Sequence, residues 1–228
     1  MEQILLLVAR FAAVVVIITA HEFAHAFVAY KCGDPTAKFM GRMTLNPAKH
    51  FDLLGMLAFA FIGFGWAKPV PINPNNFRKY RSGCLWTSSA GIIVNYLMAF
   101  LFYPLFLLVY IYVLPLVAGK YAAGFLFALF YALYAYSLSF CVFNLLPFYP
   151  LDGFRIVDAL STRKGKAYQF LYRYGYYILL GLMLLGVLAD RSPILARIDI
   201  LGYIMNFAVN ILGKPITLFW NWILGFIL

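Results

Sequence analysis

The sequence predicts an all-α polytopic membrane protein with about five transmembrane helices, within a range of about four to six. A chain of 228 residues that is 64% hydrophobic and 11% charged is too apolar for an ordinary soluble domain. Basic residues also cluster, since eight of the 18 Lys and Arg lie between Lys31 and Arg81 and five between Arg155 and Arg173. The positive-inside rule places both stretches on the cytoplasmic side. We therefore expect contact with the lipid bilayer and no nucleic-acid binding, despite a net charge of +10.

The first predicted span covers residues 3–30 and ends before Pro35. It begins without the basic residues of a signal peptide, so we expect it to be retained. Its C-terminal part carries His21, Glu22 and His25, and ionisable side chains within a span mark functional sites. Because residues four apart share a helix face, the two imidazoles can bind one cation. This is the H-E-x-x-H zinc pattern, in which the glutamate acts as general base.

Three segments between the first two spans are not ordinary membrane helices. Residues 41–52 form a polar loop in which His50 and Asp52 either support the site or structure the loop. Residues 53–66 are apolar but too short to span, and three glycines favour a re-entrant or interfacial element. Residues 67–74 contain three prolines, so we expect an extended segment beside the site.

Further spans are predicted at residues 85–116, 121–146 and 168–189. Small residues early in the second span permit close helix packing, and Asn95 is a polar group at depth there. Taken alone, such an asparagine more often makes an interhelical hydrogen bond than a catalytic contact. Residues 199–228 form either one kinked span or two short segments.

The third span ends in a stretch that contains two prolines followed by Asp152 and Gly153. The prolines break the helix, and we expect Gly153 to allow a tight turn. A catalytic zinc ion needs a third protein ligand. Asp52 and Asp152 are the candidates on the cytoplasmic side, while Asp158 can pair with Arg155, three residues earlier. Without the histidines, Asp152 would be taken for a helix cap.

With both stretches identified, the chain resembles the site-2 protease family of intramembrane zinc metalloproteases. His21, Glu22 and His25 match its H-E-x-x-H motif. Its N-x-x-P-x-x-x-L-D-G motif is matched by five residues: Asn144, Pro147, Leu151, Asp152 and Gly153. Residues 41–74 resemble the compact bacterial branch. The family's A-G-P-x-x-N motif appears at residues 90–95 with Ile92 in place of proline. No polar stretch is long enough for the PDZ-like or CBS modules of many relatives.

The resemblance implies that His21, His25 and Asp152 hold one Zn²⁺ per chain, with Glu22 as catalytic base. It also implies that Asn144 and Asn95 orient the substrate backbone or stabilise the oxyanion. Residues 1–160 are expected to form the catalytic membrane core, and residues 161–228 the C-terminal transmembrane helices.

The implied function is hydrolysis of peptide bonds in or near transmembrane segments, as in regulated intramembrane proteolysis. The partner is then a transmembrane protein or peptide, and the oligomeric state stays open. We expect a bacterial inner membrane location with the active site toward the cytoplasm. Two alternatives are a catalytically silent relative that binds membrane proteins and another class of membrane zinc peptidase. A prenyl-protein-type peptidase would use a downstream glutamate or histidine as its third ligand, and no glutamate follows Glu22.

Overall fold

The structure is a computed structural model that describes residues 2–52, 54–55, 65–117, 119–189 and 191–225. Its α-helices, in chain order, are α1 (Glu2–Cys32), α2 (Thr36–Phe39), α3 (Tyr80–Leu108), α4 (Lys120–Leu145), α5 (Asp152–Leu160), α6 (Lys166–Ala189), α7 (Pro193–Ala196) and α8 (Ile200–Leu224). Within this described part, four helices are long and apolar enough to cross a membrane: α1, α3 with its continuation to Leu116, α4 and α6. The predicted class, an all-α polytopic membrane protein, is confirmed.

The four long spans lie where the sequence predicts them, with ends that differ by only a few residues. Helix α3 contains Pro104 and continues as a π-helical turn, Val109–Val113, and a 3₁₀ turn, Leu114–Leu116. A proline is tolerated inside a membrane helix because neighbouring groups satisfy the backbone that it leaves unpaired.

The C-terminal region, for which the sequence allows one or two segments, forms the single helix α8 with Pro215 inside it. The Tyr96 hydroxyl of α3 donates to the Leu212 carbonyl, one residue from the carbonyl that Pro215 deprives of its N–H donor. Ile216 is fully buried with Ala99 of α3 and Leu138 of α4. These contacts fix α8 against the other two helices on both sides of the proline.

Helices α1, α3 and α4 pack against one another and form the centre of the molecule. Small side chains on α1 allow close approach, and those that are buried are Ala9, Ala13, Ala24, Ala26 and Ala29. Ala13, for example, packs on Ala132 and Leu133 of α4. Helix α5 lies against α3 and α4, so its first residue comes close to the histidine-bearing face of α1.

Two parts of the connection between α1 and α3, near Phe51 and near Ala67, lie side by side. Phe51 and Ala67 form an isolated antiparallel bridge, and the Lys68 N–H donates to the His50 carbonyl at 2.9 Å. The predicted re-entrant element, residues 53–66, falls largely outside the described residues. Residues 67–73 are non-helical, as predicted, and a 3₁₀ turn begins at Pro74.

Candidate metal centre

Three buried side chains, His21, His25 and Asp152, meet at one point in the structure. The Nε2 atoms of the two histidines are 3.0 Å apart. Asp152 Oδ2 lies 3.3 Å from His21 Nε2 and 3.0 Å from His25 Nε2. Two tetrahedral ligands, each about 2.0–2.1 Å from a zinc ion, are separated by about 3.3 Å. The donor triangle therefore has the size that one zinc ion requires.

The two kinds of ligand come from opposite ends of helices. His21 and His25 lie one turn apart on the same face of α1. Asp152 is the first residue of α5, directly after the proline-containing break. The N-cap residue is Leu151, and no side chain caps this helix. The Asp152 carboxylate therefore faces the histidines and does not cap the helix.

Gly153 does not provide the turn that the sequence suggested, because it is helical and lacks a positive φ. A Cβ atom at this position would lie 2.5 Å from the Leu146 carbonyl oxygen and 2.6 Å from the Leu145 carbonyl carbon. The missing side chain therefore lets the start of α5 approach the end of α4. That approach brings Asp152, the residue before Gly153, close to the histidine pair.

Each histidine is oriented by a group behind it. His25 Nδ1 lies 2.7 Å from the Thr87 carbonyl oxygen, so Nδ1 carries the proton and the Nε2 lone pair is free. His21 Nδ1 lies 3.0 Å from the Asn95 side-chain amide nitrogen, while the buried Asn95 Oδ1 has no partner. Turning that amide by 180° gives Oδ1 the His21 Nδ1–H as its donor and frees Nε2 in the same way.

Asn95 is fully buried behind His21 and is not part of the cavity wall. Its predicted role toward substrate or oxyanion stays a prediction, and the observed contact favours a role in orienting His21.

Gly91 is a site residue that the sequence alone indicates only as part of a small-residue packing motif. It lies one turn before Asn95 on α3, so both face α1. A Cβ atom at Gly91 would lie 2.5 Å from His25 Nε2 and 2.6 Å from His21 Nδ1. The histidines occupy the space of the absent side chain. The four-residue spacing between Gly91 and Asn95 is the sequence signal that could have identified this role.

A cavity of about 460 Å³ opens beside the donor triangle. Glu22 and Asn144 line it together with the three presumed ligands, and Met183 of α6 and Met205 of α8 complete the wall. Glu22 Oε2 accepts a 2.8 Å hydrogen bond from the Val70 N–H. Most of the remaining lining is apolar.

The other polar candidates lie away from this cluster. Asp52 Oδ1 accepts the Gly55 N–H at 2.9 Å, and His50 Nε2 lies 2.7 Å from the Thr44 carbonyl oxygen. Both contacts favour loop structuring, the second of the two roles considered for these residues. Asp52 is not part of the metal-type cluster found among the described residues.

Asp158 has partners other than Arg155, the residue with which the sequence allows it to pair. Lys164 Nζ lies 2.8 Å from Asp158 Oδ1, and the Tyr168 hydroxyl donates to the same oxygen. Burial opposes ionisation of Asp158, but these two contacts lower its pKa below the usual value. A partner beyond the end of α5 therefore outcompetes the one on the same helix turn.

The model of the family "Peptidase family M50" matches residues 109–186. A Bacillus subtilis (strain 168) protein named "Putative zinc metalloprotease YwhC" is 43% identical over 146 residues. That alignment covers 64% of this chain and 66% of the relative, about two thirds of its length. No solved structure matches the chain. The region matched by the family model contains Asn144 and Asp152, whereas the histidine pair of α1 precedes it.

Proposed function

The chain belongs to peptidase family M50, and from that premise we propose that it is an intramembrane zinc metalloprotease of the site-2 type. It hydrolyses peptide bonds in or near transmembrane segments of membrane-protein substrates. The observation that carries this proposal is the convergence of His21, His25 and Asp152 beside Glu22, on the wall of a cavity next to a membrane helix. Ionisable side chains within a membrane span are energetically costly, so a cluster of them indicates a functional site.

His21, His25 and Asp152 are the residues that would hold one zinc ion per chain. Two neutral imidazole nitrogens and one carboxylate oxygen form a typical catalytic donor set, which leaves a fourth position open. When bound there, zinc polarises the scissile carbonyl and lowers the pKa of a water molecule to about 7. Thr87 and Asn95 hold the imidazoles in the orientation that this donor set needs.

Glu22 is the general base of the proposed reaction. Its carboxylate takes a proton from the attacking water and delivers one to the departing amine, which is the usual role of the glutamate in this motif. Asn144 lines the cavity, which supports the proposal that its amide orients the substrate backbone. One of its N–H groups donates to the Phe140 carbonyl at 3.1 Å, so the side chain is held in place.

A helical substrate hides its peptide bonds, because each internal N–H and C=O is paired within the helix. The substrate segment must therefore unwind before the attacking water can reach a carbonyl carbon. The largely apolar cavity accepts the side chains of such an unwound segment. The proposed substrates are membrane proteins that are cleaved within or near a span, as in regulated intramembrane proteolysis.

The position of the site along α1 supports a cytoplasmic orientation. If Lys31 at the end of α1 marks the interface, His25 and His21 lie ~9 and ~15 Å inside the membrane at ~1.5 Å per residue. The basic residues that follow α1 flank this end of the helix. We place the protein in a bacterial inner membrane with the active site toward the cytoplasm.

The test is to measure zinc content and cleavage of a model transmembrane substrate by the purified, detergent-solubilised protein. We expect about one zinc ion per wild-type chain, with cleavage. Glu22→Gln should keep zinc and lose cleavage, whereas Asp152→Ala should lose both. Asp158→Ala is the matched control, because it removes an aspartate of the same helix outside the donor triangle.

Two results would contradict the proposal in different ways. Zinc binding and activity in Asp152→Ala would mean that the third ligand lies elsewhere. A wild-type protein that binds no zinc would favour the silent-relative alternative.

A further inference from the structure

The carboxylate of Glu22 is held by a distant part of the chain. The Val70 N–H donates to Glu22 Oε2 at 2.8 Å, across 48 residues of sequence, and both groups are buried. We propose that the Val70 N–H is the positioning group for this carboxylate, and that Arg42 fixes the peptide unit that carries it. The inference rests on the proposed function, because it assigns a task to the general base of that reaction.

The peptide unit between Pro69 and Val70 is held at both ends. Its oxygen, the Pro69 carbonyl, accepts a hydrogen bond from Arg42 Nη2 at 3.2 Å, and the same nitrogen donates to the Lys68 carbonyl at 2.7 Å. Its N–H points to Glu22. A guanidinium on the carbonyl oxygen polarises the peptide and strengthens its N–H as a donor. Arg42 is itself buried, so this charge is poorly screened by solvent.

Packing on either side prevents the segment from shifting. The Val70 side chain is buried against Ala26 of α1 and Ala37 of α2. Ala26 lies one turn beyond Glu22, so the same contact sets the height of Val70 along α1. Further along the segment, Asp34 Oδ2 accepts the Asn73 N–H at 2.7 Å. Val70 is therefore fixed relative to the helix that carries the base.

The consequence for catalysis is geometric. A glutamate side chain has three rotatable bonds, and holding it in one rotamer costs conformational entropy. The bond to Oε2 fixes the carboxylate before substrate arrives, and the second oxygen, Oε1, is then the one that takes the proton. A misplacement of about 1 Å at a catalytic group can reduce the rate about 100-fold.

The test compares Val70→Pro with Val70→Ala. Proline removes the N–H from a segment that already has prolines on both sides of this residue, whereas alanine keeps the N–H and removes the side-chain packing. We expect kcat of Val70→Pro to be about 10- to 100-fold below that of Val70→Ala, with similar KM and zinc content. A segment that only bound substrate would change KM instead.

Arg42 is tested in the same assay. Arg42→Met removes the donors but keeps an apolar stem, and we expect it to lower kcat without loss of zinc. Arg42→Lys retains a cationic donor for the two carbonyl groups, so it should restore part of the lost kcat.

A measurement that needs no activity separates this inference from the proposed function. The exchange rate of the Val70 amide, followed by NMR with ¹⁵N-valine, should be low in wild type and in Glu22→Gln, whose amide oxygen still accepts the bond. In Glu22→Ala it should rise at least about tenfold. If wild type is inactive but these rates differ as stated, the proposed function fails and the Val70 contact stands. Equal exchange rates in all three proteins, or equal kcat in Val70→Pro and Val70→Ala, would overturn the inference.

Discussion

Gly91→Ala is the smallest change that should disrupt the donor triangle without removing a ligand. The added Cβ atom would lie 2.5 Å from His25 Nε2 and 2.6 Å from His21 Nδ1, whereas a normal non-bonded separation is about 3.5–4.0 Å. Either both imidazoles must move by about 1 Å, or α3 must retreat from α1 by a similar distance. Both atoms belong to the side chains that would bind the metal.

The expected loss follows from the tolerance of metal sites. Ligand distances hold within about 0.2 Å, so a shift of about 1 Å is far outside that range. Loss of a contact that only supports a ligand already weakens metal binding about 10- to 100-fold. We expect Gly91→Ala to weaken zinc binding by at least that factor, and cleavage to fall with zinc occupancy.

The assay is competition for zinc between the purified protein and a chromophoric chelator, with cleavage measured at the same free zinc concentrations. Gly124→Ala is the matched control, because a Cβ atom there meets nothing within 4 Å. The control also reports the gain in helix propensity, about 1 kcal/mol, that replacing glycine by alanine gives. If Gly91→Ala is folded and binds zinc as tightly as wild type, the steric reasoning is wrong.

Three further predictions concern the groups around this centre. Asn95→Asp can only accept a hydrogen bond from His21, so it should keep zinc affinity in the chelator assay. Asn95→Leu should weaken zinc affinity about 10- to 100-fold. Equal losses of affinity in the two variants would mean that the Asn95 amide donates to His21. Burial alone would raise the pKa of Asp34, but hydrogen bonds from Thr36, Asn76 and Asn73 lower it. Since the folded state favours the ionised carboxylate, its stabilisation is present above about pH 4 and is lost as pH falls further, so the thermal midpoint should drop more steeply in acid for wild type than for Asp34→Asn. Zinc removal by a chelator should lower the thermal midpoint of wild type, because free zinc at 100 times its Kd stabilises the folded state by about 2.7 kcal/mol, and the midpoint of Asp152→Ala should not respond.

The sequence predicts the helices well because long apolar runs have few alternatives in a membrane. The histidine pair, Glu22 and Asp152 are recognisable because ionisable residues are rare in this chain, so each one is informative. Local pattern fails where the deciding contact is distant. Pro215 leaves the number of C-terminal segments open until Tyr96 and the packing of Ile216 are known.

Ion-pair and hydrogen-bond partners that depend on tertiary structure likewise cannot be predicted from the local sequence. Asp158 has a basic residue three positions earlier on its own helix, yet it forms its ion pair with Lys164. In the sequence Arg42 is one more positive charge of the predicted cytoplasmic loop. In the structure it is buried and donates to the carbonyl groups of Lys68 and Pro69. The sequence shows that Asp158 and Arg42 are charged, but only the structure shows which groups they contact.

Gly91 and Gly153 illustrate a more general difficulty in interpreting glycine in a motif. The usual inference is conformational, since glycine adopts positive φ. Neither residue does so here. The positive-φ glycines among the described residues lie elsewhere in the chain. At position 91 the missing side chain makes room for two imidazoles, and at position 153 it makes room for the carbonyl groups of Leu145 and Leu146 at the end of α4. The donor triangle thus depends on two absent side chains. An added side chain at Gly91 should disturb zinc binding through the histidines, and one at Gly153 should disturb it through the position of Asp152.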